Sequence, residues 1–217
     1  MLSHGELVNP NTMTGFIGVA IKAITSDQNH VGLLYRDSIG VQFCHLAFHH
    51  DLRFEAARTD YYWASSKVFN EDDENEMVLA ARLIALQKQG GMIAYGFCSG
   101  DKPSFSSQGE FIGFPCSGMG LTCATFVLEI FHSMGFFIAD IASWENRDSD
   151  AAWKDSILSH VRLIDEEHSI SAETYKTSVR IRPEEAAACV LSHEPPTRYK
   201  EAIEMAKEIL ADMHQDI

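Results

Sequence analysis

Cys123 combines a nucleophilic side chain with a position at the start of an apolar helix. Thr122, a preferred N-cap residue, precedes it, and the glycine-rich turn Gly118-Met119-Gly120 leads into that cap. Apolar side chains then recur at helical spacing until Gly135 gives a stop signal: Phe126, Val127, Ile130, Phe131 and Met134. Free N–H groups and the helix dipole favour a thiolate in a first helical turn, and the same N–H groups stabilise an oxyanion. The pattern predicts a nucleophile; the alternative is an inert buried thiol, since Cys123 is in phase with the apolar stripe.

A cysteine nucleophile needs a base and a third polar group that holds the base in place. Segments 30–35 and 41–48 are rich in strand formers and flank Asp37-Ser38, which predicts a β-hairpin. A turn centred on Asp37-Ser38 places His30 directly opposite His45 on one face of the sheet. The same register gives two further pairs, Leu34 with Val41 and Gly32 with Phe43. The sequence therefore offers His30 as the general base and His45 as the residue that orients it.

The order of these motifs resembles the circularly permuted NlpC-type branch of the papain-like cysteine hydrolases, which is related to lecithin retinol acyltransferase-like proteins. The resemblance lies in Gly5-Glu6-Leu7, then His30-Val31-Gly32-Leu33, then segment 121–127, so that the histidine strand precedes the cysteine helix. It covers roughly the first 140 residues. A long helix between hairpin and cysteine, and the helices after Pro183, depart from the minimal core of that branch.

The resemblance implies an α+β fold in which an antiparallel sheet packs on the cysteine-bearing helix. It also implies a peptidase or amidase that cleaves an amide or ester bond through a thioester, with Cys123 as nucleophile, His30 as base and His45 as the third residue. Acyl transfer and thioester hydrolysis are known in the same group, so a lipid acyltransferase or thioesterase is a second implied activity. The substrate class is a peptide, an amide or an acyl ester.

The remaining periodicities predict the elements around this site. Helices are expected near 16–24, 74–89 and 148–164, from Pro183 onward, and at 197–214. Strands are expected at 5–8, 61–64, 92–97, 136–141 (or a buried connection) and 178–182. Residues 98–120 are rich in Gly, Ser and Pro and predict a long loop. No repeat or linker divides the chain, which indicates one domain over 1–217 with a helical extension at about 183–217.

The composition excludes several classes of function. A formal net charge of −14 disfavours nucleic acid and anionic membrane as partners. No segment is long and apolar enough for an integral membrane span, and the first residues do not resemble a secretory signal, so a cytoplasmic location is expected. Five scattered cysteines without a CxxC pair indicate free thiols, and no cofactor motif is present.

Other histidines and cysteines leave alternatives open. His45, His49 and His50 form an HxxxHH cluster that could bind zinc on a helix, but on a strand and turn that geometry is lost. His160 and His168 follow Cys123, as an unpermuted papain-like order would require. The remaining cysteines are expected to be inert, with Cys116 as the main rival nucleophile. A second hypothesis is a catalytically silent binding module that uses loop 98–120 or the C-terminal helices to contact a protein partner.

Overall fold

The structure is a computed structural model that describes residues 3–4, 9–69, 73–100 and 103–214. These residues form an α+β fold around an antiparallel sheet, as predicted. The strand expected at 5–8, including Gly5-Glu6-Leu7, lies outside the described residues.

Within the described ranges the sheet has six strands in the order β1-β6-β2-β3-β4-β5, and all neighbours are antiparallel. Their bounds are β1 Ser3–His4, β2 Ile17–Thr25, β3 Gln28–Arg36, β4 Val41–Phe48, β5 Asp51–Ala56 and β6 Tyr62–Ser65. The predicted strands at 30–35, 41–48 and 61–64 are confirmed as β3, β4 and β6.

The prediction of a helix near 16–24 is wrong, because this segment forms strand β2. Ile17 to Ile21 are all buried, so the first half of the strand is covered on both faces. A strand covered on both faces reads as a continuous apolar run, which periodicity alone does not separate from a short buried helix.

The β3–β4 hairpin forms with a register two residues away from the expected one. Leu34 pairs with Phe43 and Arg36 pairs with Val41, so residues 37–40 form the turn. The Asp37 carboxylate accepts hydrogen bonds from the N–H groups of Ile39 and Gly40, which fixes this longer turn. A shift of two keeps every side chain on its predicted face, so His30 and His45 share a face as diagonal rather than direct neighbours.

The part of the chain that the structure describes contains six α-helices. They are α1 Asp73–Gln89, α2 Cys123–His132, α3 Ser149–Arg162, α4 Glu166–Ala172, α5 Pro183–Val190 and α6 Tyr199–His214. Of these, α1, α2 and α5 contact the sheet. The predicted helices at 74–89, 148–164, after Pro183 and at 197–214 are confirmed as α1, α3, α5 and α6. Segments 92–97, 136–141 and 178–182 are not strands, and only isolated bridges form there, from Tyr95 to Leu121 and from Ala139 to Thr197. Among the described residues, none of the helices combines the length and apolar composition that a membrane crossing requires.

Helix α2 lies at the centre of the main core. Its apolar residues and those of α5 join Val31, Leu33 and Cys44 in one buried cluster on one face of the sheet. Residues 186–190 of α5 are fully buried, and α5 contacts α2, β2 and β3. The C-terminal helices predicted as an extension therefore contribute to the same core as the strands.

Candidate functional site

The first helical residue of α2 is Cys123, and Thr122 is its N-cap, as the sequence predicts. The Thr122 hydroxyl accepts from the Thr125 N–H at 3.1 Å, and the Thr125 hydroxyl accepts from the Thr122 N–H at 2.7 Å. This reciprocal capping box fixes the first turn and therefore the direction of the cysteine side chain.

The Cys123 sulfur is buried, with the residue 6% exposed. Burial raises the pKa of the thiol, while hydrogen-bonding groups of Val31, Tyr95 and Ala124 favour the thiolate less strongly. The resting side chain is therefore a neutral thiol, and the N–H groups of Val31 and Ala124 and the phenol of Tyr95 offset only part of the effect of burial. Tyr95 was not singled out in the sequence, because nothing in segment 92–97 distinguishes it from a strand residue.

His30 and His45 form a hydrogen-bonded pair: Nε2 of His30 lies 2.7 Å from Nδ1 of His45. Nε2 of His45 lies 3.5 Å from the Glu55 carboxylate without a hydrogen bond to it, and this nearby negative charge favours a proton on that nitrogen of the neutral ring. With Nε2 of His45 protonated, Nδ1 accepts from His30, and Nδ1 of His30 then keeps a free lone pair. Among the described residues, that nitrogen has no hydrogen-bond partner.

Both imidazoles are held neutral. Burial, followed by the charges of His45 and Arg53, lowers the pKa of His30 to about 3. Burial, followed mainly by Arg53, lowers the pKa of His45 to about 4. A neutral His30 is the form that can accept a proton near pH 7.

The structure places the sulfur and the histidine pair on different sides of β3. Helix α2 packs on the face that carries Val31, while His30 and His45 lie on the opposite face, where His45 stacks on Phe43. The sulfur nevertheless faces the backbone N–H of Val31, and a backbone N–H lies within the plane of the sheet. Sγ is therefore near the residue that follows His30. Among the described residues, no hydrogen bond joins it to either ring.

Comparison of the chain with protein-family models, curated proteins and solved structures found no match. The papain-like resemblance thus depends on the order of the motifs, and the catalytic roles of Cys123, His30 and His45 stay predictions.

A second group of histidines surrounds the backbone of Tyr95. Nδ1 of His49 accepts from the Tyr95 N–H at 3.1 Å, and Nε2 of His168 lies 3.0 Å from the Tyr95 carbonyl oxygen. Nε2 of His49 lies 3.6 Å from the Asp165 carboxylate, and the His50 ring contacts His49. Within the described ranges, no group of three or more His, Cys, Asp or Glu side chains is placed to hold a metal ion. His49 and His168 instead hold the backbone of Tyr95, the residue whose phenol lies near Cys123.

A narrow inner pocket lies beside the cysteine; it is lined by Asn29, Tyr95, Cys123, Trp153 and Arg180 and has a volume of only about 10 Å³. The adjoining open cleft has a volume of about 980 Å³ and shares three of these residues, Asn29, Trp153 and Arg180. Sequence reasoning missed Asn29, Trp153 and Arg180, because the segments that carry them meet only in the folded chain.

All five cysteines are free thiols. Cys44 and Cys189 are buried and Cys116 is exposed in the loop before α2. His160 lies on the exposed side of α3, where Nδ1 bonds to the Ser156 carbonyl, so it is not part of the group around Cys123.

Proposed function

We propose that the chain is a cysteine hydrolase of the peptidase or amidase type that uses Cys123 as nucleophile, His30 as base and His45 to orient His30. The observation that carries the proposal is the hydrogen bond between His30 and His45. It occupies Nε2 of His30 and leaves Nδ1 available on the residue next to Val31, whose N–H faces the sulfur. A Cys-His-polar arrangement needs this division of roles between the two ring nitrogens.

The reaction begins when Nδ1 of His30 takes the proton from Sγ of Cys123. In the free protein Sγ and the His30 ring lie on different sides of β3, so this transfer requires a rearrangement at the first residues of that strand when substrate binds. The thiolate forms a C–S bond to the carbonyl carbon, and the Ala124 N–H and the Tyr95 hydroxyl face the oxyanion. His30 returns the proton to the leaving amine or alcohol as the C–N or C–O bond breaks. Water, or an acceptor alcohol or amine in a transferase, then cleaves the thioester.

The second candidate function is a catalytically silent module of the same fold that binds a partner. Three observations favour it: the Cys123 thiol has a raised pKa, no hydrogen bond joins it to His30 among the described residues, and the sulfur and the histidine pair lie on different sides of β3. An inert thiol needs no base beside it, so the two candidates differ in whether Cys123 can be acylated.

Acylation by p-nitrophenyl acetate, read by mass spectrometry of cysteine-containing peptides, tests the hydrolase. We expect an acetyl group on Cys123 together with sustained release of p-nitrophenol. His30→Ala should slow acetylation at least tenfold, since a positioned base contributes roughly 100-fold or more to proton transfer. Cys116→Ser is the matched control and should not change the rate at Cys123. If the cysteines are acetylated in the order of their exposure, or if His30→Ala leaves the rate at Cys123 unchanged, the result would favour the silent module.

A further inference from the structure

We propose that Arg180 forms a carboxylate-binding subsite beside Cys123, so that the preferred substrates carry a carboxylate close to the bond that is cleaved. The proposal depends on the proposed function for its reaction, but the subsite itself is a binding site that can be measured without turnover. The chain as a whole is strongly acidic, with a net charge of −14, which makes a local positive site informative.

Arg180 lies where the two parts of the cleft meet. It lines the narrow inner pocket together with Cys123 and Tyr95, and it also lines the open cleft together with Arg182 and Asn29. A group bound to its guanidinium from the open cleft is therefore next to the inner pocket that holds the sulfur.

The side chain of Arg180 is held rigidly. It is only 8% exposed, and its guanidinium carbon lies 3.7 Å from the centre of the Trp153 ring. Nη1 donates to the Asp150 carboxylate at 3.1 Å. Neither Nε nor Nη2 has a protein partner among the described residues. A buried guanidinium with unused donors is costly unless a ligand or water satisfies them, and Nη2 can bond a carboxylate that enters the cleft.

The charges around Arg180 leave an excess of one positive charge. Three guanidinium groups, those of Arg147, Arg180 and Arg182, share ion pairs with two carboxylates, those of Asp150 and Glu185. The ion pairs are largely buried, so this excess is weakly screened by solvent.

Two further charges lie near the network and offset each other. Lys154 donates to the carbonyl oxygens of Lys176 and Ser178, and Glu184 accepts from the Asn29 amide at 2.9 Å. The exposed Asp27 carboxylate also lines the open cleft, so the local excess is at most one unit, and a carboxylate fits better than a phosphate dianion. A planar guanidinium is also the side chain best matched to a planar carboxylate.

Alkylation of Cys123 with two small probes tests the subsite. Iodoacetate and iodoacetamide have similar size and the same leaving group and differ in charge. Each rate constant is measured at Cys123 and at exposed Cys116 in the same protein, at fixed ionic strength, and expressed as the ratio of iodoacetate to iodoacetamide. We expect the ratio at Cys123 to exceed that at Cys116 at least tenfold, since a hydrogen bond to a charged group contributes about 1.5–3 kcal/mol.

Arg180→Gln should lower that ratio about tenfold, with the iodoacetamide rate changed less than about threefold. Arg198→Gln, which removes an exposed arginine on another part of the surface, is the matched control and should leave the ratio unchanged. Equal ratios at the two cysteines, or a ratio at Cys123 that survives Arg180→Gln, would overturn the subsite while leaving the hydrolase standing.

If Cys123 reacts with neither probe, that result counts against the hydrolase. The subsite is then tested by a second measurement that does not depend on alkylation. N-acetylglycine and its neutral amide are titrated while the emission of Trp153, which stacks on Arg180, is followed with Trp153→Phe as the baseline. A saturable change with the carboxylate only, lost in Arg180→Gln, would support the subsite. Identical titrations with both compounds would refute it.

Discussion

His30 depends on His45 for its orientation. A ring that bonds through Nε2 at 2.7 Å cannot rotate freely, and the Glu55 carboxylate beyond His45 favours the proton arrangement that keeps Nδ1 of His30 unprotonated. Removal of His45 would therefore affect which nitrogen of His30 carries the proton, as well as the position of the ring.

His45→Ala should reduce the acylation rate of Cys123 by about tenfold or more, whereas His45→Asn should recover part of the loss, because an amide oxygen can accept from Nε2 of His30. The measurement is the rate of Cys123 acetylation as a function of pH, with protein folding checked by circular dichroism. Equal rates in His45→Ala and the unmodified protein would remove His45 from the mechanism.

The sequence predicted the His30–His45 contact, but from a strand register that differs from the observed one. The predicted direct pairing was wrong by two residues, but a two-residue shift preserves the face, and diagonal neighbours on one face are within reach of two imidazoles. The positions of Tyr95 and Arg180 in the pocket beside Cys123 had no local signal, since each depends on segments far apart in the chain.

The first turn of α2 depends on the tight turn that precedes it. Gly118 has φ +77°, and a Cβ there would lie 2.4 Å from the Ser171 backbone at the end of α4. Both the backbone angle and the contact therefore require glycine. Gly113, in the same loop, has φ +93° but no atom within 4 Å of its Cβ position.

Gly118→Ala should lower the free energy of unfolding by roughly 3 kcal/mol or more, since backbone strain and a clash with backbone atoms add together. Gly113→Ala, which adds backbone strain without a clash, is the matched control and should lower the free energy of unfolding by about 1 kcal/mol. Urea unfolding followed by circular dichroism gives both values. Similar losses in the two variants would contradict the close packing of this turn against α4.

Helix α2 and strand β2 differ in how far the sequence predicts them. Thr122, the apolar stripe and Gly135 gave α2 a start, a period and an end, so its bounds were predictable. Strand β2 is buried on both faces and has no such boundary signals. Strand β5 was missed because His50 makes its turn at φ 58°, and no glycine or asparagine marks the position.

The molecule as a whole buries several neutral histidines. Burial is the main cause that lowers the pKa of His30 to about 3 and of His45 and His49 to about 4, against an ordinary value of 6.5. In the unfolded chain each of these groups takes up a proton below about pH 6.5, while the folded form excludes it. The stability that these histidines contribute to the folded state is thus fully present above that pH and is lost as the pH falls.

The free energy of unfolding should therefore decrease as the pH falls from about 6.5 towards 4, by up to roughly 1.4 kcal/mol per pH unit for each proton taken up. Urea unfolding across this range measures the slope. His49→Gln keeps an acceptor for the Tyr95 N–H and should reduce the slope, whereas His160→Gln, on an exposed surface, should leave it unchanged. A stability that is flat across this range would contradict the burial of these rings as neutral groups.

Helix α5 fills the space between α2 and the strands β2 and β3, although it lies far from them in the sequence. During synthesis the ribosome must release residues 183–190 before this apolar surface can close. A nascent chain that does not yet include these residues would expose the apolar surface of α2, β2 and β3 to chaperones. Final folding of the region around Cys123 is consequently delayed until residues 183–190 have emerged from the ribosome.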